Sequence, residues 1–343
     1  MNEEVKPLLL RAALNQETER TPVWLMRQAG RILPEYRKIR ASVSGFKELV
    51  TTPDLAAEVT LQPVDILGVD AAIIFSDILV IPEAMGLPYE VIEKTGPVFE
   101  NTINSVEDIN STTVANGQEL HYVYEAMKLV KQNLNNDIPL IGFAGAPWTI
   151  LTYMVEGSGS KTFSKARRFL YTETEASHLL LEKITISTIN YLKGQINAGA
   201  DIIQLFDSWA GILGPVQYQE FGLKYIQRIC DAITEVPIIV FAKGAYHSME
   251  QIEKLSCNVI GIDWQTPISE AHRFSQGKAI QGNLDPTVLY ADTTTIQKHT
   301  VQMLEEFGPT GHIANLGHGV YPDTPLDGVR CFIDTIKEHQ FKH

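Results

Sequence analysis

The chain has 343 residues, of which 44% are hydrophobic and 20% are charged, a composition typical of a folded globular protein. Its net charge of −13 and its pI near 5.2 argue against binding to nucleic acid or to an anionic membrane, because both need a basic surface. We expect no membrane span, since no run of about 18 apolar residues occurs, and no signal peptide at residues 1–14. The isolated Cys230, Cys257 and Cys331 predict reduced thiols, and hence a cytoplasmic location.

Eight short apolar runs, each followed by glycine, proline and polar residues, predict β-strands. In chain order they are residues 22–26, 71–75, 139–142, 201–206, 237–241, 259–262, 279–282 and 311–315. Amphipathic stretches such as 176–198, with Gly199 at its expected end, and 218–233 predict helices between them. Strands that are apolar throughout suit a parallel sheet that is covered on both faces. Since no linker divides the chain, the pattern predicts a single-domain (β/α)8 TIM barrel over residues 1–343.

The segments that follow the predicted strands hold the unusual residues of the chain. They are residues 27–31, 76–77, 144–148, 207–211, 243–247, 263–264, 283–286 and 316–319. Barrel active sites are built from the loops at the C-terminal ends of the strands. We therefore expect these segments to meet at one face of the barrel.

Arg27 and Arg31 follow the first predicted strand, where Gly30 and Pro34 disfavour a long helix. We interpret the segment as a loop that presents two guanidinium groups, which bind carboxylates through paired hydrogen bonds. The alternative is a pair of surface arginines in salt bridges, for example with Glu35.

Asp77 lies in the apolar run of residues 73–79. An ionised carboxylate in such surroundings needs hydrogen-bond donors or a cation. Two roles remain open at this point. Asp77 could cap the helix that follows it, or it could stand in a cleft, accept ligand N–H groups and stabilise a developing positive charge.

Four further polar residues are candidates for the same face. Ser208 has no nucleophile elbow around it, so we expect a hydrogen bond to a bound carboxylate. Lys243 could form a Schiff base if it were desolvated, or an ordinary ion pair. His318 stands between two glycines and could contact a ligand, move a proton or be structural, and Tyr153 could be a packing residue. The sequence contains none of the common zinc motifs.

Taken together, these segments resemble the uroporphyrinogen decarboxylase family. The resemblance runs from about Pro22 to Tyr321 and is strongest in PVWLMRQAGR (22–31) and GFAGAPWT (142–149). It is supported by FSD (75–77), FDSWAG (206–211), QGNLDP (281–286) and NLGHG (315–319). The chain departs from the family at Ile32, where an aromatic residue is usual, and at Trp209, where some members have histidine.

The resemblance implies a distorted (β/α)8 barrel that works as a cytosolic homodimer in haem and tetrapyrrole synthesis. It implies conversion of uroporphyrinogen III to coproporphyrinogen III with release of four CO2, and no metal or organic cofactor. Asp77, Arg27 and Arg31 correspond to catalytic positions. The substrate-binding positions carried over are Arg27, Gln28, Ala29, Gly30, Arg31, Arg40, Asp77, Tyr153, Ser208 and His318.

The expected chemistry agrees with these residue types. Loss of CO2 from a pyrrole acetate leaves a carbanion unless a protonated ring accepts the electrons, and an aspartate facing the ring N–H groups would stabilise that cation. Three alternatives remain: a methyltransferase with a zinc-bound thiol, an aldolase that uses Lys243, and a tetrapyrrole carrier without catalysis.

Overall fold

The computed structural model describes residues 6–92 and 95–341. The strands are β1 (Ala72–Ile73), β2 (Tyr89–Ile92), β3 (Gly96–Phe99), β4 (Leu140–Gly145), β5 (Ile202–Asp207), β6 (Ile238–Ala242), β7 (Val259–Gly261), β8 (Ala279–Leu284) and β9 (His312–Leu316). Seven of them form one parallel sheet in the order β1-β4-β5-β6-β7-β8-β9, and β2 and β3 form a separate antiparallel hairpin. The strands of the large sheet are buried along their length except at Phe206 of β5, because helices cover the outer face of the sheet.

The helices alternate with the strands of the large sheet. They are α1 (Leu8–Ala13), α2 (Pro34–Ser42), α3 (Phe46–Thr51), α4 (Pro53–Leu67), α5 (Val80–Ala84), α6 (Val106–Ser111), α7 (His121–Asn133), α8 (Pro147–Glu156), α9 (Ser164–Thr172), α10 (Thr174–Asn197), α11 (Pro215–Tyr218), α12 (Lys224–Ala232), α13 (Met249–Ile252), α14 (Ile268–Ser275), α15 (Thr293–Phe307) and α16 (Leu326–Glu338). A π-helical segment, Gln219–Leu223, joins α11 to α12, so the helix predicted at 218–233 is interrupted.

The predicted strand at residues 22–26 is wrong as a ladder strand, although the segment occupies the eighth position of the barrel. Val23 forms one parallel bridge with Ala314 of β9, and its carbonyl accepts the N–H of Asp70 at 2.8 Å. The segment thereby closes the gap between β9 and β1. Trp24 N donates to the Ala314 carbonyl at 3.3 Å, and side chains bind the N–H groups on either side of it: Asp70 accepts from Val23 N at 2.8 Å, and Gln28 accepts from Leu25 N at 3.0 Å.

The other seven predicted strands are present, with ends that differ from the prediction by at most three residues. The α/β barrel is therefore confirmed, and its distortion lies at the segment around Val23. Within residues 6–92 and 95–341, no helix is both long and apolar enough to cross a membrane.

Helices α2 and α8 each begin with a proline. Pro34 is the first residue of α2 and follows the loop of residues 27–31, called here the arginine loop, and Pro147 starts α8 two residues after β4. Proline suits the first helical position, because its missing N–H would have no helical partner there. Gly157 then ends α8 in a left-handed conformation, with φ at 86°. Pro34 and Pro147 thus set the starts of α2 and α8, and Gly157 sets the end of α8.

Candidate active site

A cavity of about 560 Å³ opens at the C-terminal ends of the strands. Its volume lies within the roughly 300–1,000 Å³ usual for small-molecule sites. Seven of the residues expected at the site line it: Arg27, Ala29, Gly30, Arg31, Asp77, Ser208 and His318. Among the described residues of the lining, Asp77 is the only acid and the two arginines are the only permanent cations. The cavity therefore carries an excess of positive charge in an acidic chain.

The arginine loop holds Arg27 in a left-handed backbone conformation, with φ at 63°. This conformation is unusual for a bulky residue and places its side chain against Gly319. A Cβ atom at position 319 would lie only 2.5 Å from Arg27 Cδ and 2.6 Å from Cγ, so glycine there leaves space for the arginine stem. The strained turn and the glycine together aim the guanidinium group at the cavity.

Neither Arg27 nor Arg31 has an acidic partner within 4.0 Å among residues 6–92 and 95–341. The surface salt bridge with Glu35 is thus not formed. Arg37 supports the loop by donating from Nη1 to the Arg31 carbonyl at 2.8 Å. Two unpaired guanidinium groups beside a cavity can bind ligand carboxylates.

Asp77 combines features of both roles considered for it. Its Oδ1 accepts the N–H of Leu79 at 2.9 Å, just before α5, so the carboxylate does organise the local turn. The side chain also lines the cavity and is half-buried. The protein packed around it desolvates the carboxylate and raises its pKa. The N–H groups of Leu79 and Ile78, the charge of Arg27 and the hydroxyl of Tyr89 oppose that rise.

His318 is neutral at physiological pH. Burial and the nearby charges of Arg27 and Lys243 lower the pKa of its imidazole to about 3. The ring lies nearly parallel to Phe241 at a centroid distance of 6.4 Å. A neutral imidazole retains one N–H, so His318 can donate a hydrogen bond to a ligand but cannot supply positive charge.

Lys243 follows β6 and does not line the cavity. Its ammonium group lies 5.9 Å from the centre of the Trp264 ring. Burial lowers its pKa, the charge of Asp263 opposes that change, and Arg27 reinforces it. Lys243 therefore contributes to the positive field at His318.

Ser208 lines the cavity, whereas its neighbour Asp207 at the end of β5 points into the core. Thr149 donates to Asp207 Oδ1 at 2.6 Å and Tyr218 donates to Oδ2 at 2.9 Å. Burial raises the pKa of Asp207 to about 6, and those two hydrogen bonds limit the rise. Thr149 also accepts the N–H of Trp209 at 3.2 Å, so the buried group holds the strand end that carries Ser208.

Three expected site residues lie outside the lining. The side chain of Gln28 is fully buried and donates to the Ala71 carbonyl at 2.9 Å, which ties the arginine loop to the residue before β1. Tyr153 packs edge-on against Phe163, with ring centroids 5.7 Å apart. Arg40 lies near the end of α2. Burial raises the pKa of Tyr36, a lining residue, and the charge of Arg40 opposes that rise. Their contact with substrate stays a prediction.

The cavity also has an apolar wall, which was not predicted from the sequence. Phe143 of β4 and Phe206 of β5 pack edge-to-face at 5.6 Å, and both line the cavity. Val91 and Pro97 of the β2–β3 hairpin form another part of the wall. A usable signal was present, because an aromatic residue directly precedes the polar pair in both FSD (75–77) and FDS (206–208).

No group of three or more His, Cys, Asp or Glu side chains arranged to hold a metal occurs in the part of the chain that the structure describes. Cys230 and Cys257 are buried, and burial raises the pKa of the Cys257 thiol to about 11.

Comparison with known proteins identifies the family. The sequence model of the family described as "Uroporphyrinogen decarboxylase (URO-D)" matches residues 5–339. The chain belongs to the uroporphyrinogen decarboxylase family. A uroporphyrinogen decarboxylase of Christiangramia forsetii is 46% identical over 336 residues, which cover 97% of this chain and 98% of the relative. One from Schizosaccharomyces pombe is 46% identical over 351 residues, covering 97% of both proteins.

Solved structures add information on the fold of this family member. A methyltransferase from Methanosarcina mazei superimposes with a TM-score of 0.83 over 97% of this chain and 99% of its own. Its sequence identity is 20%, so the similarity is one of fold. The barrel is thus shared with methyltransferases, and the residues of the cavity have to distinguish the chemistry.

Proposed function

We propose that this chain is a carboxy-lyase of tetrapyrrole biosynthesis that converts uroporphyrinogen III to coproporphyrinogen III and four CO2. One observation carries the proposal beyond family membership: Asp77 faces a cavity whose only permanent cations, among the described lining residues, are the unpaired Arg27 and Arg31. An octacarboxylate with four pyrrole N–H groups needs both kinds of partner. The guanidinium groups bind its carboxylates and the aspartate accepts its N–H groups.

The reaction removes the carboxyl group of an acetate side chain without an external electron acceptor. Protonation of a pyrrole carbon makes the ring cationic. The C–C bond to the carboxylate then breaks, its electron pair flows into the ring and CO2 leaves. A proton added to the remaining methylene carbon and the loss of the ring proton complete the change of CH2–COO⁻ to CH3. Each cycle consumes one proton, and four cycles give four CO2.

Asp77 stabilises the cationic ring in this sequence of steps. A carboxylate placed before the reaction lowers the barrier most in a cavity that excludes bulk water, and groups of this kind contribute about 10²–10³-fold in rate. The apolar wall around Phe143 and Phe206 supplies such surroundings. Asp77 has to be ionised for this role, and the N–H groups of Ile78 and Leu79 favour that state.

Arg27, Arg31 and His318 hold the carboxylates of the substrate. The two arginines offer planar forks for paired hydrogen bonds, and the neutral imidazole offers a single donor. Ser208, directly after β5, adds a hydroxyl to the cavity lining. Gln28 acts on substrate through the arginine loop that it ties to Ala71.

Four properties complete the proposal: one domain over residues 1–343, a homodimer, a cytoplasmic location, and activity without metal or organic cofactor. Light scattering of the purified protein measures the dimer, and cell fractionation measures the location. Limited proteolysis reports the number of domains. Exhaustive chelation should leave turnover unchanged, whereas a loss that only zinc restores would refute the cofactor claim.

Anaerobic incubation with chemically reduced uroporphyrinogen III tests the proposed reaction, with products separated after oxidation. We expect the tetracarboxylate product and four CO2 per macrocycle. Binding without CO2 would show a carrier. Borohydride trapping of a substrate on Lys243 would show an aldolase, and methyl transfer to a thiol that depends on bound zinc would show a methyltransferase.

A further inference from the structure

Arg27 occupies the third position of a tight turn formed by residues 25–28. The N–H of Gln28 donates to the Leu25 carbonyl at 3.0 Å and closes the turn. The φ of Arg27 is 63°, whereas the φ of Met26 before it is not positive, and this combination is that of a type II turn. Glycine is the usual residue at the third position, because other side chains are strained there. An arginine stays in this conformation only if its surroundings hold the backbone.

The unstrained alternative for the same four residues is a type I turn. The two types differ by a rotation of the central peptide through roughly half a turn. Here that peptide consists of the Met26 carbonyl and the Arg27 N–H. The rotation would bring the φ of Arg27 to about −90°, which suits any residue, and would change the direction of its Cα–Cβ bond. The type of turn therefore affects where the guanidinium group lies.

Residues 315–320, at the end of β9 and directly after it, hold the turn in its strained form. Asn315 Oδ1 accepts the N–H of Met26 at 3.2 Å. The N–H of Val320 donates to the Met26 carbonyl at 3.1 Å. One short segment thus binds Met26 on both sides. Rotation of the central peptide would turn the Met26 carbonyl away from Val320, so these bonds oppose the change to a type I turn.

The side chain of Asn315 has a fixed orientation. It is fully buried, and its Oδ1 also accepts the N–H of Leu316 at 2.8 Å. Two donors on the oxygen determine which way the amide faces, and its Nδ2 has no hydrogen-bond partner among the described residues. A buried amide with one unsatisfied end costs free energy. The oxygen is therefore the part of this side chain that the protein uses.

We propose that Asn315 is a positioning residue for the decarboxylation: its oxygen holds the turn in which Arg27 presents its guanidinium group to the cavity. The inference rests on the proposed function. The segment that holds Arg27 also carries His318, which lines the cavity. It thereby fixes the spacing between two groups that bind substrate carboxylates, so both are in place before the substrate enters.

A double-mutant cycle tests whether Asn315 acts through Arg27. Asn315→Ala is made in wild-type protein, in Arg27→Ala and in Arg31→Ala. The last background is the matched control, since Arg31 belongs to the same loop but lies outside the turn. The value of kcat/KM with uroporphyrinogen is measured for each protein, and circular dichroism and urea unfolding check the fold. Asn315→Asp is measured as well, because it keeps an oxygen for both N–H groups.

In the wild-type and Arg31→Ala backgrounds we expect Asn315→Ala to lower kcat/KM about tenfold, within the range of one hydrogen bond. In the Arg27→Ala background we expect a change of less than about twofold, because no guanidinium group remains to be placed. Asn315→Asp should stay within about threefold of wild type, since two N–H donors also suit a carboxylate. Equal losses from Asn315→Ala in all three backgrounds would show that Asn315 only stabilises the barrel, and the proposal would be wrong.

Crystal structures of wild type and Asn315→Ala give a readout that does not depend on activity, and they decide alone if Arg27→Ala has no measurable turnover. In the variant we expect the φ of Arg27 to become negative, near about −90°, with its guanidinium group displaced. An Arg27 that keeps its positive φ and its place would overturn the inference. If wild type releases no CO2 but the turn changes in the variant, the proposed reaction fails and the hold of Asn315 on Arg27 stands.

Discussion

Asp77 and Asp207 both lie near the C-terminal end of a barrel strand, Asp77 after β1 and Asp207 at the end of β5. Asp207 is fully buried, and both of its oxygens accept hydrogen bonds, from Thr149 and from Tyr218. Asp77 is half-buried and lines the cavity. One carboxylate is therefore fully occupied by the protein, and the other retains surface for a ligand.

The difference follows from the geometry of strands rather than from composition. Successive side chains of a strand point to opposite faces, so Phe206 and Ser208 face the cavity while Asp207 between them faces the core. The chain leaves β1 after Ile73, and the residues that follow it, including Asp77, line the cavity. An acid after an apolar strand is thus insufficient to identify a catalytic group.

The largest effect that separates the two aspartates is expected from Asp77→Asn. The amide keeps the size of the side chain but loses the negative charge, so we expect turnover to fall about 10²–10³-fold. Stability should not fall, because a desolvated charge is removed. Product analysis and urea unfolding of the same preparation measure both quantities. Near-wild-type turnover would remove Asp77 from the mechanism.

Tyr218→Phe should have the opposite profile. It removes one of the two donors to the buried Asp207, and a hydrogen bond to a charged group contributes about 1.5–3 kcal/mol. We expect that loss in the free energy of unfolding at pH 7.5, with kcat within about threefold of wild type and an unmoved pH profile. A change in the acidic limb of kcat/KM would contradict a purely structural role for the pair.

The ionisation of Asp207 should appear in stability rather than in activity. Its folded-state pKa of about 6 lies above the ordinary 3.8, so the group favours folding at low pH and loses that contribution as pH rises through 6. The unfolding free energy of wild type relative to Asp207→Asn should therefore fall by roughly 2 kcal/mol between pH 4.5 and 7.5. A pH-independent difference would show that Asp207 titrates normally.

Replacement of His318 by Gln tests the smallest of these effects. The imidazole has a pKa of about 3 and is neutral above pH 5. Glutamine preserves an N–H donor but not its placement, so we expect kcat/KM to fall roughly fivefold, about 1 kcal/mol. The pH profiles of the two proteins should run parallel from pH 5.5 to 8. A wild-type inflection near pH 6.5 that the variant lacks would show that His318 carries a proton in this range.

The barrel could be predicted from the sequence because seven of its strands are recognisable from their apolar composition alone. The strand predicted at residues 22–26 was wrong because, beyond its single bridge to β9, side chains bind the backbone N–H groups: Asp70 binds Val23 N, Gln28 binds Leu25 N, and Asn315 binds Met26 N at 3.2 Å. The contacts of Asp70 and Asn315 join residues 47 and 289 positions apart, so they leave no local pattern. The same contacts explain why Gln28, expected to bind substrate, has a fully buried side chain.

The arginine loop and the polar segments after the strands could also be located in advance, because the C-terminal face of a barrel collects them. The β2–β3 hairpin, whose Val91 and Pro97 line the cavity, could not be located in advance, because it lies outside the barrel and its packing partners come from α3 and α8. The burial of Asp207 was equally hidden, since only the strand register decides which way a residue points.

The position of the macrocycle relative to Asp77 is the most direct test of the account. A crystal structure of the protein with coproporphyrinogen, prepared without oxygen, would measure it. We expect a carboxylate oxygen of Asp77 within about 3.2 Å of pyrrole nitrogens, with side-chain carboxylates of the macrocycle against Arg27 and Arg31. A macrocycle bound outside the cavity, or one whose nitrogens point away from Asp77, would contradict the proposed mechanism.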